Sequence, residues 1–219
     1  MFDPTQVPVL GTDSHLPAVT LAQCQPMALR QRFAAPPVWQ PELHHEPRFI
    51  DRVPSPAAVL MAVRTGPQPT LLLTERSLAL PDHPGQIAFP GGKIDATDAD
   101  AQAAALREAE EEIGLPHQAV EVLGQLPIYT TGSGFIVTPV LALVPAWQRL
   151  QPNPREVAAV FEVPLAYLMN PAHHRRHELL WQGSHRQWFS MPWHDGTREC
   201  YIWGATAAML RNLYRLLSA

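Results

Sequence analysis

Proline occupies 24 of the 219 positions, about 11%, roughly twice average usage. Each proline fixes φ, lacks an amide donor and disfavours helix in the residue before it. A chain punctuated this often is expected to have many rigid turns and strand borders and few long helices. With 46% hydrophobic and 16% charged residues, it is not a disordered polyampholyte. Its length suffices for one domain of ordinary size with an extension.

The charge balance excludes one large function class. Sixteen Lys and Arg stand against twenty Asp and Glu, a net charge of −4, so the positive footprint of a nonspecific nucleic-acid binder is missing. The two cysteines, Cys24 and Cys200, are far apart and form no CxxC. A disulfide scaffold is therefore excluded and a reduced, cytoplasmic setting is expected. The first ten residues carry no basic region and no long apolar core, unlike a signal peptide. No apolar run approaches the roughly 18 residues that would cross a bilayer. The expected partner is a small molecule and at most a second copy of the chain as a homodimer, with neither nucleic acid nor membrane.

Residues 1–53 are rich in Pro and Gln and weakly periodic. A short helix is expected over 26–33, stopped by Pro36 and Pro37. This stretch reads as an N-terminal extension that packs on a domain formed by 54–219. In that domain, short apolar runs predict strands at 57–63, 70–74, 86–89, 120–126, 136–144, 158–163, 178–181, 187–191 and 200–202. One mid-chain helix is predicted over 99–113, with Gly114 as the residue past its end and Pro116 blocking continuation. An amphipathic helix over 204–217 places Met209, Leu210, Leu213, Leu216 and Leu217 at helical spacing. Many strands with one central and one terminal helix predict an α/β fold, a mixed sheet sandwiched by helices.

The segment 106–115, LREAEEEIGL, is the most informative. On a helix each residue advances about 100°, so with Glu108 at zero, Glu112 falls near 40° and Glu111 near 300°. These three carboxylates share one sector, Glu110 points away, and Leu106, Ala109 and Ile113 form the adjoining apolar stripe. The placement opposes the helix dipole, which is negative at this end. Like charges at i,i+4 add repulsion, which Arg107 relieves only in part by pairing with Glu111. A solvated acidic face is the usual fate of such a run, but these acids border the core. A divalent cation resolves the conflict, and carboxylate oxygens suit Mg²⁺ or Mn²⁺.

Upstream stands 89–98, FPGGKIDATD. Together with REAEEEIGL it resembles the Nudix box: a glycine, an acid six residues later, then R-E-x-x-E-E-x-G. Gly92 and Asp98 fit the first part, and Arg107, Glu108, Glu111, Glu112 and Gly114 the second. The loop acid is Asp rather than Glu, and the gap from Asp98 to Arg107 is one residue longer than usual. Both departures resemble the coenzyme A pyrophosphatase branch. Segments 72–77 (LLTERS), Leu80, His83, 85–86 (GQ), 133–135 (SGF), 137–140 (VTPV) and 202–206 (IWGAT) resemble that branch as well.

The resemblance implies a Nudix α/β/α sandwich with a mixed β-sheet and the box as loop–helix–loop. It implies Mg²⁺ or Mn²⁺ held by Glu108, Glu111, Glu112 and the Gly91 carbonyl. The implied reaction is hydrolysis of the diphosphate of coenzyme A to 3′,5′-ADP and 4′-phosphopantetheine. Other nucleoside diphosphate derivatives (ADP-ribose, a dinucleotide, a nucleoside triphosphate) and a non-catalytic nucleotide-binding regulator are the alternatives. Glu111 is the expected general base, oriented by Arg107, with Glu156 or Glu162 as alternatives. Arg76, Lys93 and His83 are candidate substrate-binding cations. The run 173–177, HHRRH, has metal-like spacing but too few ligands, and reads as a solvated loop or strand edge. Trp181, Trp188, Trp193 and Trp203 read as core or rim residues; one of them, or Tyr129 or Phe135, is a candidate to stack on adenine.

Overall fold

The computed structural model describes residues 3–48, 53–181 and 183–219. The expected boundary near residue 53 therefore adjoins residues 49–52, which lie outside the described part. In chain order the elements are β1 (Gly11–Thr12), α1 (Pro26–Ala34), β2 (Ser55–Arg64), β3 (Thr70–Arg76), β4 (Ile87–Ala88) and β5 (Gly91–Lys93). Then come α2 (Ala101–Ile113), β6 (Glu121–Gln125), β7 (Tyr129–Thr130), β8 (Phe135–Val144), β9 (Val157–Pro164) and α3 (Leu165–Leu168). The chain ends with β10 (Arg175–Trp181), β11 (Ser184–His194), β12 (Glu199–Trp203) and α4 (Gly204–Ser218).

The larger sheet runs β4-β3-β2-β8-β6, with β5 on β2, β7 on β8 and β9 on β3. Only β2 and β8 pair in parallel, along Ser55–Phe135 through Arg64–Val144; the other ladders are antiparallel. The sheet is thus mixed, as expected. Successive strand side chains face opposite sides, so β2 serves two cores. Ala58, Leu60 and Ala62 meet Ala104, Ala105, Ala109 and Ile113 of α2. Met61 and Val63 face a second core with Leu210, Leu213 and Leu217 of α4. Leu60 and Met61 are both fully buried, and truncating either to Ala is expected to cost about 2–5 kcal/mol. These are the two helix layers of an α/β/α sandwich.

The smaller sheet, β1-β10-β11-β12, packs on α4. Its edge strand β1 comes from the N-terminal segment, Gly11 pairing with Arg176. From the same segment, Leu29 of α1 and Cys24 are fully buried in the second core. Asp13 and Glu42 form ion pairs with Arg211 of α4, at 2.9 and 2.8 Å.

Several local expectations need correction. Helix α2 begins at Ala101 rather than 99, because the Asp100 carboxylate accepts from the Ala103 amide at 2.8 Å and caps it. The strand expected over 86–89 contracts to Ile87–Ala88, since Pro90 has no amide to extend a ladder. Gly91–Lys93, expected as loop, is strand on β2. The run 173–177, expected as a solvated loop or strand edge, is solvated only in part: Arg175 and Arg176 are exposed at the start of β10, but His174 and His177 are 0% and 3% exposed. His174 donates from Nε2 to the Leu168 carbonyl at 2.7 Å and accepts from Arg211 at Nδ1, at 3.1 Å. The Nε2 atom of His177 lies 2.7 Å from the Ser190 hydroxyl. A buried polar ring persists when its nitrogens are paired, and spacing alone does not reveal such partners.

Candidate active site

Helix α2 ends at Gly114, whose φ of 63° and ψ of 29° are left-handed. The Leu115 amide returns to the Ala109 carbonyl at 3.3 Å and the Gly114 amide to Glu110 at 3.0 Å, closing the helix. A Cβ on Gly114 would meet the side chain of Gln151 at 2.9 Å. This close approach lays residues 151–156 across the helix end. The Asn153 amide donates to the Glu112 carbonyl at 2.9 Å, and its side-chain amide to Glu156 Oε1 at 3.2 Å. The last turn of α2 carries no basic residue, so the dipole conflict read from the sequence is present in the fold.

Arg107 organises one side of the cluster. Its Nε and Nη2 donate to both oxygens of Asp98, each at 3.0 Å. Nη1 donates to Glu108 at 2.9 Å and Glu111 at 3.0 Å, and Nη2 also to the Lys93 carbonyl at 3.1 Å. The box loop is thereby tied to the helix by one planar guanidinium, a geometry suited to several fixed acceptors. Gly92 packs directly on Glu108; a Cβ there would lie 2.5 Å from its carboxylate. Gly91 is equally constrained, because a Cβ would fall 2.4 Å from the Ala58 carbonyl.

The other side is short of positive charge. Glu112 is 5% exposed. Burial pushes its pKa up to about 7, and Glu108 and Glu156 push the same way, against the Gly91 amide and Arg76. The Gly91 N–H donates to Glu112 Oε2 at 3.2 Å. Glu108 is raised too, first by burial and then by Glu111 and Glu156, against Arg107. Burial of an ionised carboxylate is costly unless it is paired.

The structure brings together Asp98, Arg107, Glu108, Glu111, Glu112, Gly91 and Arg76. It adds Glu156, which the sequence alone held only as an alternative; the bend after Gly114 carries it there. Glu162 lies elsewhere, bound to Arg64 at 2.7 Å and to Thr70. Lys93 is exposed and offers Arg107 its carbonyl. His83 occupies the turn between β3 and β4 with φ 56°. Glu110 pairs outward with His117 at 2.9 Å. Tyr129 is buried and donates to Glu46 at 3.3 Å, so it is not a stacking surface. The tryptophans sit at the rim, Trp188 stacked on His177 and Trp203 edge-on to Trp188.

The donor set fits a hard divalent cation: buried oxygen ligands, crowded beyond what the local cations balance. Among the described residues, no three His, Cys, Asp or Glu side chains stand at the spacing of a closed metal cage. Mg²⁺ does not require one, since it usually keeps several waters and is bound by one or two carboxylates plus substrate phosphates.

Comparison with known proteins gives the family. The NUDIX domain profile matches residues 54–182, and the chain belongs to the Nudix family. It is a Nudix hydrolase, an enzyme acting on pyrophosphate bonds of nucleoside diphosphate derivatives. Nudix hydrolases generally use divalent cations. The chain is 46% identical to the Nudix hydrolase NudL of Escherichia coli (strain K12) over 158 residues, 72% of this chain and 80% of that one. It is 43% identical to NudL of Shigella flexneri serotype 5b over 175 residues, covering 80% and 86%. An Ap4A hydrolase of C. elegans superposes with a TM-score of 0.44 at 23% identity, over 54% of this chain and 85% of that one.

Proposed function

We propose that the chain hydrolyses the diphosphate of coenzyme A, yielding 3′,5′-ADP and 4′-phosphopantetheine, with Mg²⁺ or Mn²⁺ as cofactor. The observation that carries the reading is the joining of Arg76 to the acid cluster. Arg76 belongs to the LLTERS segment outside the box, and it pairs in register with Val157, the residue after Glu156. That segment is further tied to the helix end by the Ser77 amide, which donates to the Glu156 carbonyl at 2.8 Å.

Glu108, Glu112 and Glu156, with the Gly91 carbonyl, are the groups that would hold the cation. When bound, it neutralises phosphate oxygens and lowers the pKa of bound water. The chain supplies the rest. Glu111, 54% exposed and held at 3.0 Å by Arg107, takes a proton from the attacking water. The water oxygen bonds to phosphorus as the bridging P–O bond breaks, and the departing phosphate oxygen keeps the electron pair. Arg76 faces the diphosphate and limits repulsion between substrate and acids. The setting proposed is the cytoplasm, with at most a second copy of the chain as protein partner.

Purified protein with Mg²⁺ or Mn²⁺ is expected to release 3′,5′-ADP from coenzyme A. A panel of kcat/KM values against ADP-ribose, a dinucleotide and a nucleoside triphosphate decides the substrate, because specificity is a ratio. Preference for one of these overturns the coenzyme A reading. Ligand binding with no turnover in either metal favours a non-catalytic regulator.

A further inference from the structure

A cavity of about 350 Å³ opens beside β12. Tyr201 and Trp203 supply aromatic walls, Glu75, Gln86 and Arg198 the polar ones, and the turn of Asp3–Thr5 forms a rim. None of the carboxylates on α2 lines it. The N-terminal turn is fixed in place, because the Tyr201 hydroxyl donates to the Pro4 carbonyl at 3.1 Å. His177 Nδ1 lies 3.1 Å from the Val7 carbonyl just beyond.

The cavity adjoins the acid cluster through one residue. The Gly85 amide donates to the Arg76 carbonyl at 3.0 Å, and the Arg76 amide to the Gln86 carbonyl at 3.0 Å. The backbone of Arg76 therefore holds the cavity wall, while its register partner in β9 is Val157, the residue after Glu156 of the acid cluster; the Arg76 side-chain Nε donates to the Asp82 carbonyl at 3.3 Å. Two segments outside the box, 83–89 and 202–206, also join here: the Thr206 hydroxyl donates to the Ile87 carbonyl at 3.0 Å. A ligand with its diphosphate at Arg76 has one end within reach of this space.

Charge selects which end. Arg198 is neutralised by Glu75 at 2.5 Å and by Asp195 at 3.7 Å. Asp3 and Glu199 add two further acids to the lining. A phosphate would be repelled here, whereas amide N–H donors would meet carboxylate acceptors and a thin chain would lie along Tyr201 and Trp203. Resting on the coenzyme A reading, we infer that this cavity receives the uncharged, amide-bearing pantetheine arm and not the adenosine 3′-phosphate. The N-terminal segment then forms part of the substrate site.

Calorimetry on the full chain without metal tests this, with pantetheine and 3′,5′-ADP as separate probes. Thr5 is an exposed rim residue, so Thr5→Trp fills the space without disturbing the core; an unchanged Tm checks the fold. The variant is expected to weaken pantetheine roughly tenfold and leave 3′,5′-ADP unchanged. In CoA turnover it is expected to raise KM with kcat unaltered. No pantetheine binding to the wild type, or a loss confined to 3′,5′-ADP, overturns the assignment. Pantetheine binding that Thr5→Trp removes, in a protein that does not cleave coenzyme A, keeps the cavity assignment and overturns the substrate reading alone.

Discussion

Two clusters of buried charge show what completes an ionic site and what leaves one open. At α4, Arg211 is 1% exposed yet meets Asp13 and Glu42, stacks within 4.9 Å of the Phe189 ring and donates to neutral His174. Arg176 adds a second cation to Asp13 at 2.5 Å. That cluster is balanced, and it joins the N-terminal segment to α4. At the end of α2, Asp98, Glu108, Glu111, Glu112 and Glu156 gather five carboxylates around Arg107, with Arg76 contributing favourable charge. Buried ions tolerate desolvation when their partners are present. The first cluster has its partners within the chain; the second, on the function proposed above, takes one from outside. On that proposal, balance marks a structural device and imbalance a site.

The sharpest way to break this contrast is Glu112→Gln. Activity is expected to fall about a thousandfold in kcat, since an oxygen ligand and its charge are lost. The same change is expected to stabilise the metal-free protein at pH 8. The folded-state pKa of Glu112, about 7, lies above its ordinary value, so ionisation disfavours the fold as pH rises through that range. The gain is about 3 kcal/mol at pH 8 and fades below about pH 4.5, as thermal melts with a chelator would show. Mg²⁺ is expected to raise the wild-type Tm and to do much less for the variant. Full CoA turnover by Glu112→Gln would remove this carboxylate from the site.

Arg211→Met is the converse experiment. It removes the buried cation shared by Asp13 and Glu42, leaving Asp13 to Arg176 and Glu42 to the more distant Arg215, and the expected loss is about 3 kcal/mol of stability, read by urea unfolding. Activity per folded molecule should persist below the transition, because no group on α2 is touched.

A smaller effect is expected from His174, whose pKa burial lowers to about 4. The unfolded chain binds this proton near pH 6.5 and the folded chain only near 4, so stability falls as pH drops through that window. The contribution is at most about 3 kcal/mol, and His174→Gln should flatten that part of the pH profile. Least of all, Glu110→Gln should leave kcat unchanged and alter stability by under about 0.5 kcal/mol, because Glu110 points outward to exposed His117. A large activity loss there would show that the whole acidic run, and not its inward sector, forms the site.

Much of this was legible along the chain because the relevant physics is local. The sector formed by Glu108, Glu111 and Glu112 follows from helical periodicity, and the stop at Gly114 from left-handed backbone freedom. Runs such as 136–144 have the length and composition of a buried strand, and β8 fills that place. The burial of His174 and His177 was not legible, since the groups that satisfy them, the Leu168 carbonyl and the Ser190 hydroxyl, come from other elements. Nor was the short strand at Gly91–Lys93, which exists only because β2 offers it a ladder.

The sequence by itself determined the mixed α/β class, the carboxylates on one face of α2 and the Arg107 that binds them, all through interactions spanning a few residues. Tertiary structure decided that Glu156 and Arg76 stand beside that face, that Glu162 does not, and that Asp3–Thr5 borders the cavity beside β12. Those outcomes depend on where the chain returns after long loops. That is set by burial of both faces of the sheet and not by any local preference.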